Sequence, residues 1–234
     1  MRSSEPSERV EESLAQDLHD HWQDLNGLYN GIQEAELLRT KDIISKSPQH
    51  DVRAYGAIGD GATDDYTAIN DTLTAATNGG TVVFPIGHYK HGTKLTIPKG
   101  VKLKGYSHHF AASDEGSKLE YTGAGFGIQT DDCSILENLT IESNASGVAL
   151  YGSQAVMRDC TVTAAYGTGG AGTIGVQFSD GQDTAGTPDN PSYYCAMENC
   201  RVRSFAIQVK MLRYANGNYI RNGQLHRAAD MTNA

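Results

Sequence analysis

The sequence contains no apolar run approaching the ~20 residues that a membrane-spanning helix needs. Its opening residues, MRSSEPSERVEES, are polar and hold no apolar h-region, so no secretory signal is expected. Work outside a cell would then use another route, such as riding on a particle or release by lysis. Basic residues are also scarce: 19 Lys and Arg stand against 28 Asp and Glu, for a net charge of −9. A general nucleic-acid binder carries a basic face, so that class is excluded. The four cysteines, Cys133, Cys160, Cys195 and Cys200, form no CxxC and have no histidine cluster beside them. That spacing does not suit zinc, and no metal site is assigned to them. Aromatic residues make up only 8% of the chain.

What the chain does have is glycine, 26 residues of it, among many Thr, Asn, Asp and Val. This composition suits a turn-rich β protein. At 234 residues the chain holds one sizeable domain plus an accessory segment.

The accessory segment is residues 1–47. Leu14, Leu18, His21, Leu25, Leu28, Ile32 and Ala35 step by alternating fours and threes, the a/d spacing of a heptad repeat. Ser7 with Glu11 can start such a helix, and Ser47-Pro48 ends it. The narrow stripe predicts a coiled coil; a single helix packed on its own domain is the alternative. Gly27, Gly31 and His21 weaken the seam.

From residue 48 the pattern changes. Ile69, Leu73 and Ala76 sit at helical spacing in YTAINDTLTAAT, with Asp64 or Asp65 placed to cap that helix. GGTVVFPIGHY then reads as turn, strand and turn. In KLTIPKGVKLKG, Leu95, Ile97, Val101 and Leu103 alternate as in a strand.

Residues 106–234 repeat. SILENLTIE (134–142), AVMRDCTVT (155–163), CAMENCRVR (195–203) and NYIRNGQLH (218–226) align position by position. TIPKGVKLK (96–104) fits as a looser, earlier copy. Between copies lie GFGIQ, GVALY, GVQFS and FAIQVK as second short strands. One such unit cannot bury its apolar face alone, but stacked units can, as a solenoid of parallel sheets. The interval between the copies at 155 and 195 is nearly twice the others. It keeps the phase and inserts residues 164–194, which are expected to protrude as loops.

Asn138, Asp159, Asn199 and Asn222 form one column of the repeat. They read as a turn ladder of short polar side chains that tolerate left-handed backbone. Leu139, Cys160, Cys200 and Gly223 form the next column, where the cysteines read as small buried hydrophobes. A Cys160–Cys200 disulfide requires their coils to be adjacent.

The order DVRAYGAIGDGATDDYTAIN, GGTVVFPIGHY, LTIPKGVKLKG resembles the N-terminal signature of the pectate-lyase-like right-handed β-helix superfamily. The resemblance implies an all-β solenoid, with residues 48–105 as its cap and first coil. In that reading Gly56, Gly59 and Gly61 permit tight turns, and Asp64 and Asp65 start the helix that covers the open end. GDGATDD lacks the GxGxxG or GKS/T element of a phosphate loop. The superfamily hosts several chemistries and some non-enzymes, so function has to be argued from a site.

Asp131 and Asp132, in TDDC, resemble the Asp-Asp-Cys element of polygalacturonases and are the candidate catalytic acids. The partner elements of that family are absent, which leaves a polar turn as the other reading. Asp180, Asp183 and Asp189 on the inserted loop are candidates for sugar or calcium, with Tyr193 and Tyr194 as stacking faces. His108 and His109 are neighbours, and on a strand they would point to opposite faces.

Together these features suit a virion-associated spike or fibre, localised on the particle, that attaches to a host surface polysaccharide or glycoprotein. The expected assembly is a homotrimer joined to a virion anchoring protein through residues 1–47. A polysaccharide-degrading glycoside hydrolase or lyase is the alternative, and a purely structural stalk the third reading.

Overall fold

The computed structural model describes residues 16, 19–27, 30, 49–77, 79–106, 116–165, 172–180 and 190–226. The chain divides into two compact units, Met1–Lys46 and Ser47–Ala234. In the first, residues 16, 19–27 and 30 are helical. The predicted seam positions Leu14, Leu18, Leu28, Ile32 and Ala35 lie outside the described residues. Leu25 is described, and it is exposed on its helix, as is Trp22.

The second unit is a stack of coils. In a representative coil the chain runs through Ile135–Glu137, turns, continues as Thr140–Ser143 and Ser146–Leu150, makes the short strand Gly152–Ser153, and re-enters at Val156–Arg158. Corresponding strands of successive coils pair in parallel. Two seven-stranded sheets, one of five strands and one of three result. The Ile135, Val156, Ala196 and Tyr219 strands pair in that order. Each interval between the four aligned repeats, the long one included, is therefore one turn of the solenoid.

Alternation along each strand sends one residue inward and the next outward. The inward residues stack in columns: Leu103, Leu136, Met157 and Met197 in the first sheet; Tyr89, Leu119, Ile141, Val162 and Val202 in the second; Leu95, Ile128, Val148 and Val176 in the third. All of these are buried and form one continuous core.

The early copy at 96–104 does not pair as its sequence suggests. The alignment would set Thr96 opposite Ser134, but Lys102 pairs with Ile135 and Leu103 with Leu136, so the copy is out of register. Leu95–Thr96 belongs to the third sheet and Lys102–Gly105 to the first, with a turn between them. The alternation at Leu95, Ile97, Val101 and Leu103 spans that turn, which is why it reads as a single strand.

The N-terminal end carries a cap. Helix Tyr66–Ala75 buries Ala68, Ile69, Thr72 and Leu73. Asp65 holds the N-cap position and its carbonyl accepts the Ile69 N–H at 3.0 Å, but its side chain makes no cap bond. Its buried carboxylate instead accepts the N–H groups of Ile58 (2.7 Å) and Gly59 (3.0 Å), tying down the loop ahead of it. Asp64 takes the helix-start role by accepting Tyr66 N–H at 2.9 Å. Gly61, at φ +74°, lies against His88, where a Cβ would meet the imidazole at 2.4 Å.

At the other end, Ile207–Met211, Ala215–Asn216, Tyr219–Arg221 and Gln224–His226 form the outer edge of each sheet. Ile207, Met211, Tyr219, Ile220 and Leu225 are exposed there.

Candidate functional site

Each coil turns two sharp corners. At the corner between the first and second sheets, Asn138, Asp159, Asn199 and Asn222 all adopt left-handed backbone, with φ of 54°, 52°, 51° and 50°. Asn199 Nδ2 donates to Asp159 Oδ1 at 3.2 Å, and Asn222 Nδ2 donates to Asn199 Oδ1 at 3.0 Å. The geometry is a hydrogen-bonded ladder that leaves the Asp159, Asn199 and Asn222 side chains engaged with one another.

The opposite corner brings Asp131, Asp132, Tyr193 and Tyr194 onto one edge. It is built from the short strands Gly152–Ser153, Ser192–Tyr193 and Ala215–Asn216. A second left-handed column borders it: Cys133, Gln154, Tyr194 and Gly217, with φ of 56°, 59°, 57° and 70°. Main-chain bonds clamp one coil to the next, from Cys133 N to Ser153 O (2.8 Å), Gln154 N to Tyr193 O (2.8 Å) and Tyr194 N to Asn216 O (2.9 Å).

Asp131 and Asp132 precede Cys133 on this corner. The Asp132 carboxylate accepts Ser153 N–H at 2.8 Å and pairs with Lys99 Nζ at 3.1 Å. The Ser153 N–H, and after it the Lys99 ammonium, hold its carboxyl below the ordinary range. Asp131 accepts Asp132 N–H at 2.7 Å, and its carbonyl takes the Ser134 hydroxyl at 2.7 Å. Both carboxylates thus shape a turn in this structure.

Two coils further on lie Tyr193 and Tyr194. With adjacent strands ~4.8 Å apart, the Asp132 and Tyr193 turns are roughly 10 Å apart along the axis. Tyr194 is 69% exposed. Its ring lies across Gly217, where a Cβ would come within 2.6 Å of the ring. Only a glycine leaves room for the tyrosine to lie there.

Asp180 closes the base of the inserted loop. Its N–H donates to Asn190 O at 3.2 Å, and Asn190 Nδ2 donates to its carboxylate at 2.8 Å. Asp183, Asp189, His108 and His109 lie outside the described residues. Among the described residues, no three His, Cys, Asp or Glu side chains gather as a metal cluster.

Sequence reasoning missed Lys99, Gln154 and Tyr214 at this corner. Gln154 and Tyr194 are equivalent positions, each immediately ahead of an aligned repeat at Ala155 or Cys195. Tyr214 is overlain by the Arg213 guanidinium at 5.0 Å from its ring centre. Its carbonyl accepts Ser192 N–H at 3.2 Å, which places it beside the same short strands.

Comparison with known proteins fits this architecture. Residues 50–118 match the family described as Rhamnogalacturonase A/epimerase, pectate lyase-like. The chain also resembles ORF18 of Geobacillus virus E2, with a TM-score of 0.52 and 20% identity over 83% of this chain. It resembles the pre-mature gene product 12 of bacteriophage phi29 as well, with a TM-score of 0.56 and 19% identity over 76% of this chain. The fold is a right-handed parallel β-helix, and its first part, residues 50–118, is similar to the pectate-lyase-like family model.

This β-helix spans 45% of the Geobacillus virus protein and 25% of the phi29 protein. A 56-residue stretch, 24% of the chain, is 46% identical to the non-secreted LysM effector LysM19 of Penicillium expansum, covering 4% of that protein. No described helix of the β-helix chain is long and apolar enough to cross a membrane.

Proposed function

We propose that the chain is the β-helical part of a virion-associated spike or fibre, and that it holds a host-surface glycan at the corner of Tyr193 and Tyr194. The observation that carries this reading is the Tyr194 ring, exposed and laid across Gly217 beside a strip of polar turns. Sugar recognition needs an apolar ring face flanked by hydrogen-bonding groups. Gln154, Ser153 and Asn216 supply such groups on the same corner. The fold shared with proteins of two viruses supports the particle setting.

Holding fits this corner better than cutting. A glycosidase acid must carry a proton at working pH, and the Ser153 N–H and Lys99 hold the Asp132 carboxyl below its ordinary range, which suits it poorly to that acid role. The test compares the intact chain with Tyr193→Ala and Tyr194→Ala in binding to host cells and isolated surface polysaccharide. Loss of binding with unchanged thermal stability is expected, and unchanged binding by both variants overturns the site. Depolymerised polysaccharide, abolished by Asp132→Asn, would move the chain to the degrading-enzyme reading. No sugar affinity at all would leave a stalk.

A further inference from the structure

Cys160 and Cys200 stand one directly above the other in the solenoid interior. The residues before them are joined by the Asn199–Asp159 hydrogen bond, and the residues after them, Thr161 and Arg201, are register partners. Arg201 N–H also donates to Cys160 O at 2.9 Å. Directly paired residues of adjacent strands have Cα atoms ~4.8–5.5 Å apart, inside the 4.4–6.8 Å span of a disulfide. Cys160 Sγ contacts Arg158 O at 3.2 Å and Cys200 Sγ the equivalent Glu198 O at 3.1 Å, and Cys200 Sγ also reaches back one coil, to Met157 O at 3.4 Å. Both are buried thiols.

We propose that Cys160 and Cys200 are an oxidation site, forming an inter-coil disulfide when the chain meets a small-molecule disulfide such as oxidised glutathione. The position has a physical rationale. These two coils flank the inserted segment 164–194, the longest excursion in the repeat, and closing a long loop costs the most chain entropy. A covalent link there removes that cost from the unfolded state. The other two cysteines lack this geometry: the strand register places Ala155 and Asn218, not a cysteine, beside Cys195 on the adjacent coils, and Cys133 is exposed beside Gln154.

The chemistry balances in two exchanges. The Cys200 thiolate attacks one sulfur of oxidised glutathione, whose S–S bond breaks and releases one glutathione thiolate. The Cys160 thiolate then attacks the Cys200 sulfur of the mixed disulfide, forming the protein S–S bond and releasing the second. The two cysteine protons end on the two released glutathiones. The cysteines lose two electrons and the oxidant gains them. Burial raises the Cys160 thiol well above its ordinary value, so exchange takes place as the coils fold or open rather than in the closed state.

The experiment treats the full chain with oxidised glutathione, both natively and during refolding from denaturant. It then reads intact mass, non-reduced peptides and melting temperature. Cleavage by trypsin and by a glutamate-specific protease frees Cys200 from Cys195 at Glu198, and tandem sequencing distinguishes Cys160 from Cys195 within the linked partner. The expected result is a mass loss of two hydrogens, a Cys160–Cys200 link, and a melting temperature raised by roughly 5–15 °C and returned by reductant. Cys195→Ala should keep the link, and Cys160→Ala should lose it. A link through Cys195 or Cys133, glutathione adducts alone, or no mass change after oxidative refolding would each overturn the proposal.

Discussion

Asn199 donates to Asp159 and accepts from Asn222 while its own backbone sits at φ 51°. Replacing it with alanine removes two hydrogen bonds and sets a Cβ-bearing residue without a polar tip in the left-handed region. The expected loss for Asn199→Ala is about 1–3 kcal/mol by urea denaturation, with Asn199→Gly milder because glycine carries no left-handed penalty. Equal losses would show that the ladder bonds, not the backbone, set the cost. His91 gives a second residue-scale outcome. It is fully buried, its Nδ1 bonded to Thr93 O at 2.9 Å, and its Nε2 has no hydrogen-bond partner among the described residues. Burial drives its pKa below the ordinary 6.5, against smaller opposing effects of the Thr93 bond, Asp64 and Glu120. Below that ordinary value the unfolded chain binds a proton that the folded chain refuses. Stability present above pH 6.5 should therefore fall as pH drops toward and through the depressed folded value. His91→Phe should flatten the acid limb of melting temperature between about pH 7.5 and 5; an unchanged limb would place the acid sensitivity elsewhere. The asparagine column was visible in sequence because it recurs at a fixed repeat position. His91 was not, because nothing in GHYKHG says which histidine turns inward until the strand's neighbours are known.

At the scale of elements, the first sheet carries alternating charge on its outer face. Lys104, Glu137, Arg158, Glu198 and Arg221 are register partners in sequence from coil to coil. Glu137 pairs with Lys102 and with Arg158, the latter at 3.2 Å. Burial lifts the Glu137 carboxyl, but the Lys102 hydrogen bond and the charges of Lys102, Arg158 and Lys104 together hold it below its ordinary value. Glu137→Lys would set a fourth cation among Lys102, Lys104 and Arg158, with an expected loss of about 1–3 kcal/mol. That loss should shrink in high salt, since screening weakens repulsion between partly exposed charges. A salt-independent loss would point to packing instead. Much of this element plan was legible. The spacing of the four aligned repeats predicted the strand register directly, because a stacked solenoid forces equivalent residues into line. The copy at 96–104 misled, because alternation alone does not separate one strand from two strands flanking a turn. The functional corner was only half legible. Tyr193 and Tyr194 were found from the insertion and Asp131 and Asp132 from a motif, but only the stacking of coils puts the four on one edge.

At the scale of the whole molecule, the open question is what surrounds the β-helix. Helical residues 19–27 leave Trp22 and Leu25 exposed, at 58% and 64%. Large apolar side chains on a heptad-spaced helix gain most by burial against copies of the same helix. Three chains joined this way would carry three copies of the Tyr194 corner on one particle appendage. Individually weak sugar contacts would then act together, raising avidity well beyond that of one site. The expected solution mass of the full chain by light scattering is that of a trimer, and a truncation beginning at Gln49 should give a monomer. The trimer should also bind surface polysaccharide more tightly than the truncation by roughly 10²-fold or more, with no change in the corner itself. A monomer in both forms would make the helix a local element and remove avidity from the argument. A trimer in both would place the assembly contacts on the β-helix, where the exposed Ile207, Met211, Tyr219, Ile220 and Leu225 edge would be the surface to mutate first.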